Sequence, residues 1–416
     1  MSSLCVHGAE LDGETVGLRA EDGLIAELGP GVKPREADEA IDAAGLILAP
    51  PLVNGHTHAA MTLFRGFGDD MPLMEWLQRK IWPAEERLEP EDVYWGTRLA
   101  AIEMVRSGTT RFFDMYWHGA ESARAAADAG LRAVISAVLI DGLDPARGER
   151  LRNEALESLE RIGEAGPLIE PGFGPHAIYT VSGESLRWLA QISAERGLTV
   201  QIHLSESEQE VRDCVEAHGA RPAAYLDGLG VLGERTALAH GVWLDDAELE
   251  LVAERGATVI TNPAANMKLA VGGVFPYPRA AERGVRIGLG TDGVASNSNL
   301  DLLEEVKLFA LQQKHAGDDP ALLPAGEALA IARGLGSPLL GGGPLEVGQP
   351  ADFLLLRGGD PELSSGNLVA ALVYAASGSV VDTTVVAGRA LMRDRVVPGA
   401  EEVVAEVRER ARRLTA

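Results

Sequence analysis

The chain has 416 residues, 46% hydrophobic and 24% charged, which is the balance of a globular protein with room for one large domain and a smaller one. Its net charge of -25 argues against a face built to neutralise nucleic-acid phosphates and otherwise reads as a well-solvated acidic surface that identifies no partner. Cys5 and Cys214 are too few for a disulfide framework, no run of about 18 apolar residues offers a membrane span, and the first residues carry no basic stretch followed by an apolar core, so a cytoplasmic setting is expected.

Residues 1–48 read as short strands punctuated by Leu11-Asp12-Gly13, Glu21-Asp22-Gly23 and Gly29-Pro30. From 49 to 345 strands alternate with amphipathic helices. Eight strand candidates lie near 46–58, 109–115, 132–139, 169–178, 199–204, 236–242, 257–261 and 285–291. Glu195-Arg196-Gly197, Glu254-Arg255-Gly256 and Glu282-Arg283-Gly284 repeat one joint, a helix ending on glycine directly before a strand, and Asp128-Ala129-Gly130 is similar. This pattern fits an α/β fold, a (β/α)8 TIM barrel with insertions; a doubly wound open sheet is the alternative. The stretch 65–98 is too long for a plain βα loop and is expected to be a helical insertion over the barrel mouth. After 345 short strands return at 352–357 and 380–387, and a helix is expected at 401–413. Neither flank can bury a core alone. Residues 1–48 and 346–416 are therefore expected to combine into one small β-sandwich domain with a C-terminal helix, beside a catalytic barrel of 49–345.

Chemistry first shows in Asn54-Gly55-His56-Thr57-His58. Residues two apart on a strand share a face, and at the C-terminal end of a barrel strand that face points into the site. Two histidines there can pack structurally or share a metal ion. His176, His203, His240 and Asp292 each fall at the end of another predicted strand, and five histidines with an aspartate at one mouth favour the metal. His7, His118, His218 and His315 lie away from strand ends and read as surface or local structural residues; Cys214 reads as core. Nitrogen ligands with one carboxylate suit one divalent ion, Zn2+ first, with Fe2+, Mn2+ or Co2+ as alternatives. The fourth strand, 169–176, has no lysine that could bridge a second ion. A bound ion would lower the pKa of water to about 7. Glu206, three residues past His203, would stand beside the ion and could pass a proton to a substrate; the competing reading makes it a first-turn helix residue favoured by the dipole.

His56-Thr57-His58, His203-Leu204-Ser205-Glu206, Ala239-His240-Gly241 and Gly290-Thr291-Asp292-Gly293-Val294-Ala295-Ser296-Asn297 resemble the amidohydrolase superfamily. The segments 58–66, 70–77, 81–85, 174–176 and 262–270 resemble its 5'-methylthioadenosine/S-adenosylhomocysteine deaminase family, with the match running from about residue 45 to 345. The resemblance implies that His56, His58, His203 and Asp292 hold the metal, that Glu206 protonates a purine ring, and that His240 and Asp292 orient water and move its proton. It implies that Glu85 binds the ribose hydroxyls, that His176 contacts purine or ribose, and that 71–82, with Trp82, covers the 5' substituent. It also makes a homo-oligomer reasonable.

Family members that take S-adenosylhomocysteine hold its carboxylate with arginines after the third strand. Here 133–140 has none, and Arg147, Arg150 and Arg152 follow without a secure match; Arg150 is carried as a candidate contact, with a solvent-facing helix position as its alternative. The expected activity is deamination of an adenosine-type nucleoside with a modified 5' position, methylthioadenosine, S-adenosylhomocysteine or 5'-deoxyadenosine. The alternatives are another aminated or chlorinated heterocycle (guanine, 8-oxoguanine, pterin, triazine), aminodeoxyfutalosine, or a barrel kept as a binding scaffold.

Overall fold

The computed structural model describes residues 3–364 and 366–416. Five strands precede the barrel: β1 (Ser3–Leu11), β2 (Glu14–Glu21), β3 (Leu24–Gly29), β4 (Asp38–Asp42) and β5 (Leu46–Ala49). The barrel strands are β6 (Leu52–His58), β7 (Thr109–Asp114), β8 (Arg132–Leu139), β9 (Ile169–Pro175), β10 (Thr199–Leu204), β11 (Thr236–His240), β12 (Thr258–Thr261), β13 (Arg286–Leu289) and β14 (Asp292–Gly293). Three more, β15 (Phe353–Arg357), β16 (Val381–Val386) and β17 (Arg389–Met392), follow near the C-terminus.

The barrel strands run parallel in the order β13-β12-β11-β10-β9-β8-β7-β6-β14. β13 and β14 are two halves of one path. The first half pairs with β12; the second pairs with β6 through Asp292↔Thr57 and Gly293↔His58. That pairing joins the last strand to the first, closes the ring and excludes the open doubly wound sheet. The break at Gly290 and Thr291 has a steric cause. A Cβ at Gly290 would sit 2.4 Å from Asn262 Oδ1 and 3.0 Å from His56 Cβ, so only glycine lets the chain pass the site this closely. Inside the barrel, below the histidines, Val53, Phe113, Val134, Ala237, Ile260 and Leu340 form a buried apolar plug. The site therefore rests on a packed floor rather than a pore.

The joints read from the sequence end helices as expected. Gly197 (φ +66°) and Gly256 (φ +67°) take the left-handed conformation that closes the helices Gly183–Arg196 and Asp246–Arg255.

The two ends of the chain form one mixed sheet, β17-β16-β15-β5-β1-β2-β3, with β4 on β1. It curls over a core that includes Leu18, Ile25, Phe353 and Leu355. The run 46–58, read as a single strand, splits between the two sheets. Pro50 and Pro51 offer no N–H to a ladder, and the chain changes sheet there.

Two further boundaries move. The helical insertion covers less of 65–98 than expected, because the helix Pro90–Arg106, opened by a reciprocal Glu89–Asp92 cap, is the ordinary crossover from β6 to β7. The part over the mouth is a short irregular helix, Leu73–Trp76, Leu77–Ile81 and Trp82–Glu85. The C-terminal helix, Ala400–Thr415, packs on Pro90–Arg106, where Arg410 and Arg413 both bond the fully buried Asp92 carboxylate. Among the described residues no helix is long and apolar enough to cross a membrane.

Candidate active site

β6 delivers His56 and His58, β10 delivers His203, and β14 delivers Asp292. One ligand atom from each lies within 4.8 Å of the others. Second contacts aim each group inward. His58 Nδ1 meets the Met115 carbonyl at 2.5 Å and His203 Nδ1 meets the His176 carbonyl at 2.8 Å, which places the N–H on Nδ1 and leaves Nε2 as a lone pair facing the centre. Ser296 Oγ donates to Asp292 Oδ2 at 2.7 Å. Oδ1 is left 3.1 Å from His58 Nε2 and 3.6 Å from His56 Nε2.

This donor set fits a divalent cation. The Nε2 atoms of His58 and His203 face each other at 3.2 Å, and His56 Nε2 is buried with no hydrogen-bond partner. Three inward lone pairs and a carboxylate oxygen repel one another unless positive charge sits among them. The electrostatics agree. Burial lowers the pKa of His56 to about 4 and that of His176 to about 3, so both stay neutral. Against the same burial, the hydrogen bond and charge of Asp292 lift His58 to about 9, which marks its ring as seated where positive charge is favoured. Asp292, although buried, is held well below the usual carboxylate range by the His56 and His58 rings beside it.

Glu206 stands beside the four rather than among them. It precedes its helix, which starts at Glu208 with Ser207 as the cap, so the helix-dipole reading of Glu206 does not hold. Its Oε2 lies 3.9 Å from His240 Nε2, and burial raises its pKa. His240 Nδ1 meets Asn266 Oδ1 at 2.8 Å, which places the N–H there and turns the Nε2 lone pair toward Glu206 and the cavity.

The same cavity is lined by Glu85, His176 and Trp82. Glu85 descends from the short helix over the mouth. Its Oε1 accepts from Tyr116 at 2.7 Å and its Oε2 accepts from Trp117 Nε1 at 3.1 Å. His176 Nδ1 meets Thr180 Oγ1 at 2.9 Å. Arg150 is not part of this wall. It lies on the outer helix Pro145–Gly163 with its side chain 69% exposed, 3.6 Å from Glu154, so its carriage as a substrate contact is replaced by the solvent-facing reading. Arg152 pairs with Glu184. Cys5 and Cys214 are both buried and free.

Several residues around the site were not singled out from the sequence. Tyr116 and Trp117 lie just past β7, after Met115, at a strand end that could have been read as part of the mouth. Asn266 and Ser296 sat inside quoted motifs without a role. Glu210 had no signal beyond its spacing from Glu206. It is buried, and its two oxygens accept the backbone N–H of Ser205 at 2.8 Å and of Glu206 at 2.9 Å.

Residues 47–391 match the amidohydrolase family model. The chain belongs to the amidohydrolase family. It is 48% identical over 398 residues to a 5'-deoxyadenosine deaminase of Methanoregula boonei, spanning 94% of this chain and 90% of that one. It is 42% identical over 404 residues to a 5-methylthioadenosine/S-adenosylhomocysteine deaminase of Archaeoglobus fulgidus, spanning 96% and 95%. An adenosine deaminase structure from Xanthomonas campestris with bound zinc superposes at a TM-score of 0.89 and 32% identity, covering 99% of this chain and 98% of that one. An atrazine chlorohydrolase structure from Arthrobacter aurescens, 22% identical with a TM-score of 0.88, shares the amidohydrolase fold. The family read from the His56, His203, His240 and Asp292 motifs is thus the family found.

Proposed function

We propose that this amidohydrolase is a hydrolytic deaminase that converts an adenosine-type nucleoside with an uncharged 5' substituent to its inosine analogue and ammonia. The observation that carries this reading is Glu85. A carboxylate held by Tyr116 and Trp117, in the same cavity as the three histidines and Asp292, is placed to accept both hydroxyls of a ribose. The relatives named as 5'-deoxyadenosine and methylthioadenosine deaminases support it. In this reading residues 49–345 are the catalytic unit.

A divalent ion, zinc by the donor set, would be held by His56, His58, His203 and Asp292 and would supply Lewis acidity that makes water a nucleophile near neutral pH. The remaining work falls to side chains. His240 Nε2 takes a proton from the attacking water, because its other nitrogen is committed to Asn266. Glu206, whose pKa burial raises, gives a proton to the ring nitrogen next to the reacting carbon. Negative charge then does not build up on the purine. Asp292 orients the water and relays its second proton to the amino group; the C–N bond breaks, ammonia leaves, and the proton taken by His240 passes to Glu206, 3.9 Å away, which resets both groups. His176 and Trp82 contact the purine and the sugar.

The 5' end meets Leu73, Trp76, Leu77 and Ile81, and among the described residues lining the cavity there is no lysine or arginine. A ligand carboxylate there would lose water without gaining a partner. With the zinc-loaded enzyme, 5'-deoxyadenosine and methylthioadenosine are expected to be deaminated with higher kcat/KM than S-adenosylhomocysteine. Glu85→Ala is expected to raise KM for these nucleosides by about 10–100-fold, the loss of a charged hydrogen-bonding partner, and to leave any free-base turnover unaffected. Ammonia from none of the nucleosides, or an unchanged KM in Glu85→Ala, would overturn the proposal.

Glu210 holds the turn that carries Glu206, so Glu210→Gln, which puts an amide N–H against one of two backbone N–H groups, is expected to lower kcat by at least about tenfold. KM and metal content are expected to stay unchanged. In a Glu206→Gln background the same change is expected to add little, since both act through one proton.

A further inference from the structure

The barrel has a second cavity at the opposite end, among the N-terminal ends of its strands and against the small sheet. It measures about 160 Å3. Its wall includes Arg111 at the start of β7, Arg132 at the start of β8, Arg333 after the helix Ala325–Ala332, and the loop Gly341–Gly343. The lining holds three guanidinium groups and a single carboxylate, Asp352, in a chain whose net charge is -25.

That carboxylate is already committed. Asp352 takes two hydrogen bonds from Arg132, at 2.7 and 3.1 Å, and one from the Ala387 N–H. Arg111 pairs with the half-exposed Glu170 at 3.0 Å through one nitrogen, while its Nε is buried without a partner. Arg333 is the unusual member. Its Nε is also buried and unpartnered, and the opposing charge acting on it among the described residues is the more distant Asp12. Burial lowers its pKa to about 10, the direction expected of a cation without a counter-ion. Arg333 is half-buried, and among the described residues its guanidinium has no hydrogen bond or ion pair, which leaves it free to pair with a group from outside the chain. The loop opposite is built for close approach: a Cβ at Gly342 would fall 2.0 Å from the Arg333 carbonyl oxygen.

We propose that this cavity is a binding site for a compact oxyanion of the phosphate class, held by the Arg333 guanidinium with Arg111 beside it. A tetrahedral oxyanion can take the outer N–H groups of the Arg333 guanidinium, which the cavity's own carboxylate does not engage while it is bound to Arg132. The site lies outside the catalytic mouth and does not depend on the reaction assigned to it.

Calorimetric titration of the metal-loaded enzyme with inorganic phosphate tests this. The wild type is expected to bind one phosphate per chain at this site, with a Tm that rises as phosphate is added. Arg333→Met is expected to lose that heat and that rise, to keep its deaminase rate, and to have a phosphate-free Tm no lower than the wild type. Arg333→Lys, which keeps the charge but loses the fork of donors, is expected to bind at least about tenfold more weakly. Phosphate ligating the catalytic metal would persist in both variants, so the difference between each variant and the wild type reports the cavity. No saturable heat in the wild type at millimolar phosphate would overturn the proposal, as would an equal heat in Arg333→Met.

Discussion

Asp292→Ala is expected to reduce kcat/KM by more than about 10⁴, the largest loss of any single change in the site. Two functions end together. The carboxylate offers one of the four atoms that could hold the proposed ion, and it lies where the proposed proton relay to the leaving amine runs. Its removal also leaves His56 and His58 without the partner that organises their charge. Metal analysis of the purified variant, alongside turnover of 5'-deoxyadenosine, checks the result. Substoichiometric metal with lost turnover is expected; full activity would exclude Asp292 from both roles. Asp292→Asn refines the test. It keeps the shape and a neutral oxygen that can still accept from Ser296, so it is expected to retain part of the metal while losing the proton relay.

Glu206→Gln is expected to behave differently. Glu206 is not among the four ligand groups, and glutamine fills the same volume, so metal content and Tm are expected to stay near wild type. The variant cannot give up a proton, and kcat is expected to fall by about 10²–10⁴. The pH profile carries a second signature. Burial raises the Glu206 pKa, so its protonated fraction persists at higher pH than that of an ordinary glutamate and falls as pH rises through the raised value. A wild-type decline of kcat on the alkaline side that vanishes in Glu206→Gln fits the donor role. Near-normal turnover in Glu206→Gln would end it.

Much of this site was legible before any coordinates. His56 and His58 are two apart on a strand, and that spacing alone puts them on one face. His203, His240 and Asp292 each end a run of β-branched and aliphatic residues, which marks them as strand-end positions in an alternating β/α chain. Local pattern was enough because each residue's place depends on the strand that carries it. Elsewhere local pattern misled. The 46–58 run read as one strand, and only the pairing partners showed that Pro50-Pro51 sends its two halves into different sheets. Arg150 had the right chemistry in a plausible place, but its helix turns it to solvent.

Strand-end spacing in the chain pointed to the barrel and to histidines and Asp292 at one mouth, and the motifs around them resembled the family, because residue type and periods of two and 3.6 are readable within short windows. Only the tertiary structure decided what surrounds them. Tyr116 and Trp117 reach Glu85 across 31 and 32 residues, Asn54 and Thr291 lock together across 237, and Arg333 comes to line one cavity with Arg111 and Arg132. Such contacts depend on which elements become neighbours when the ring closes, and no local window of sequence contains that information.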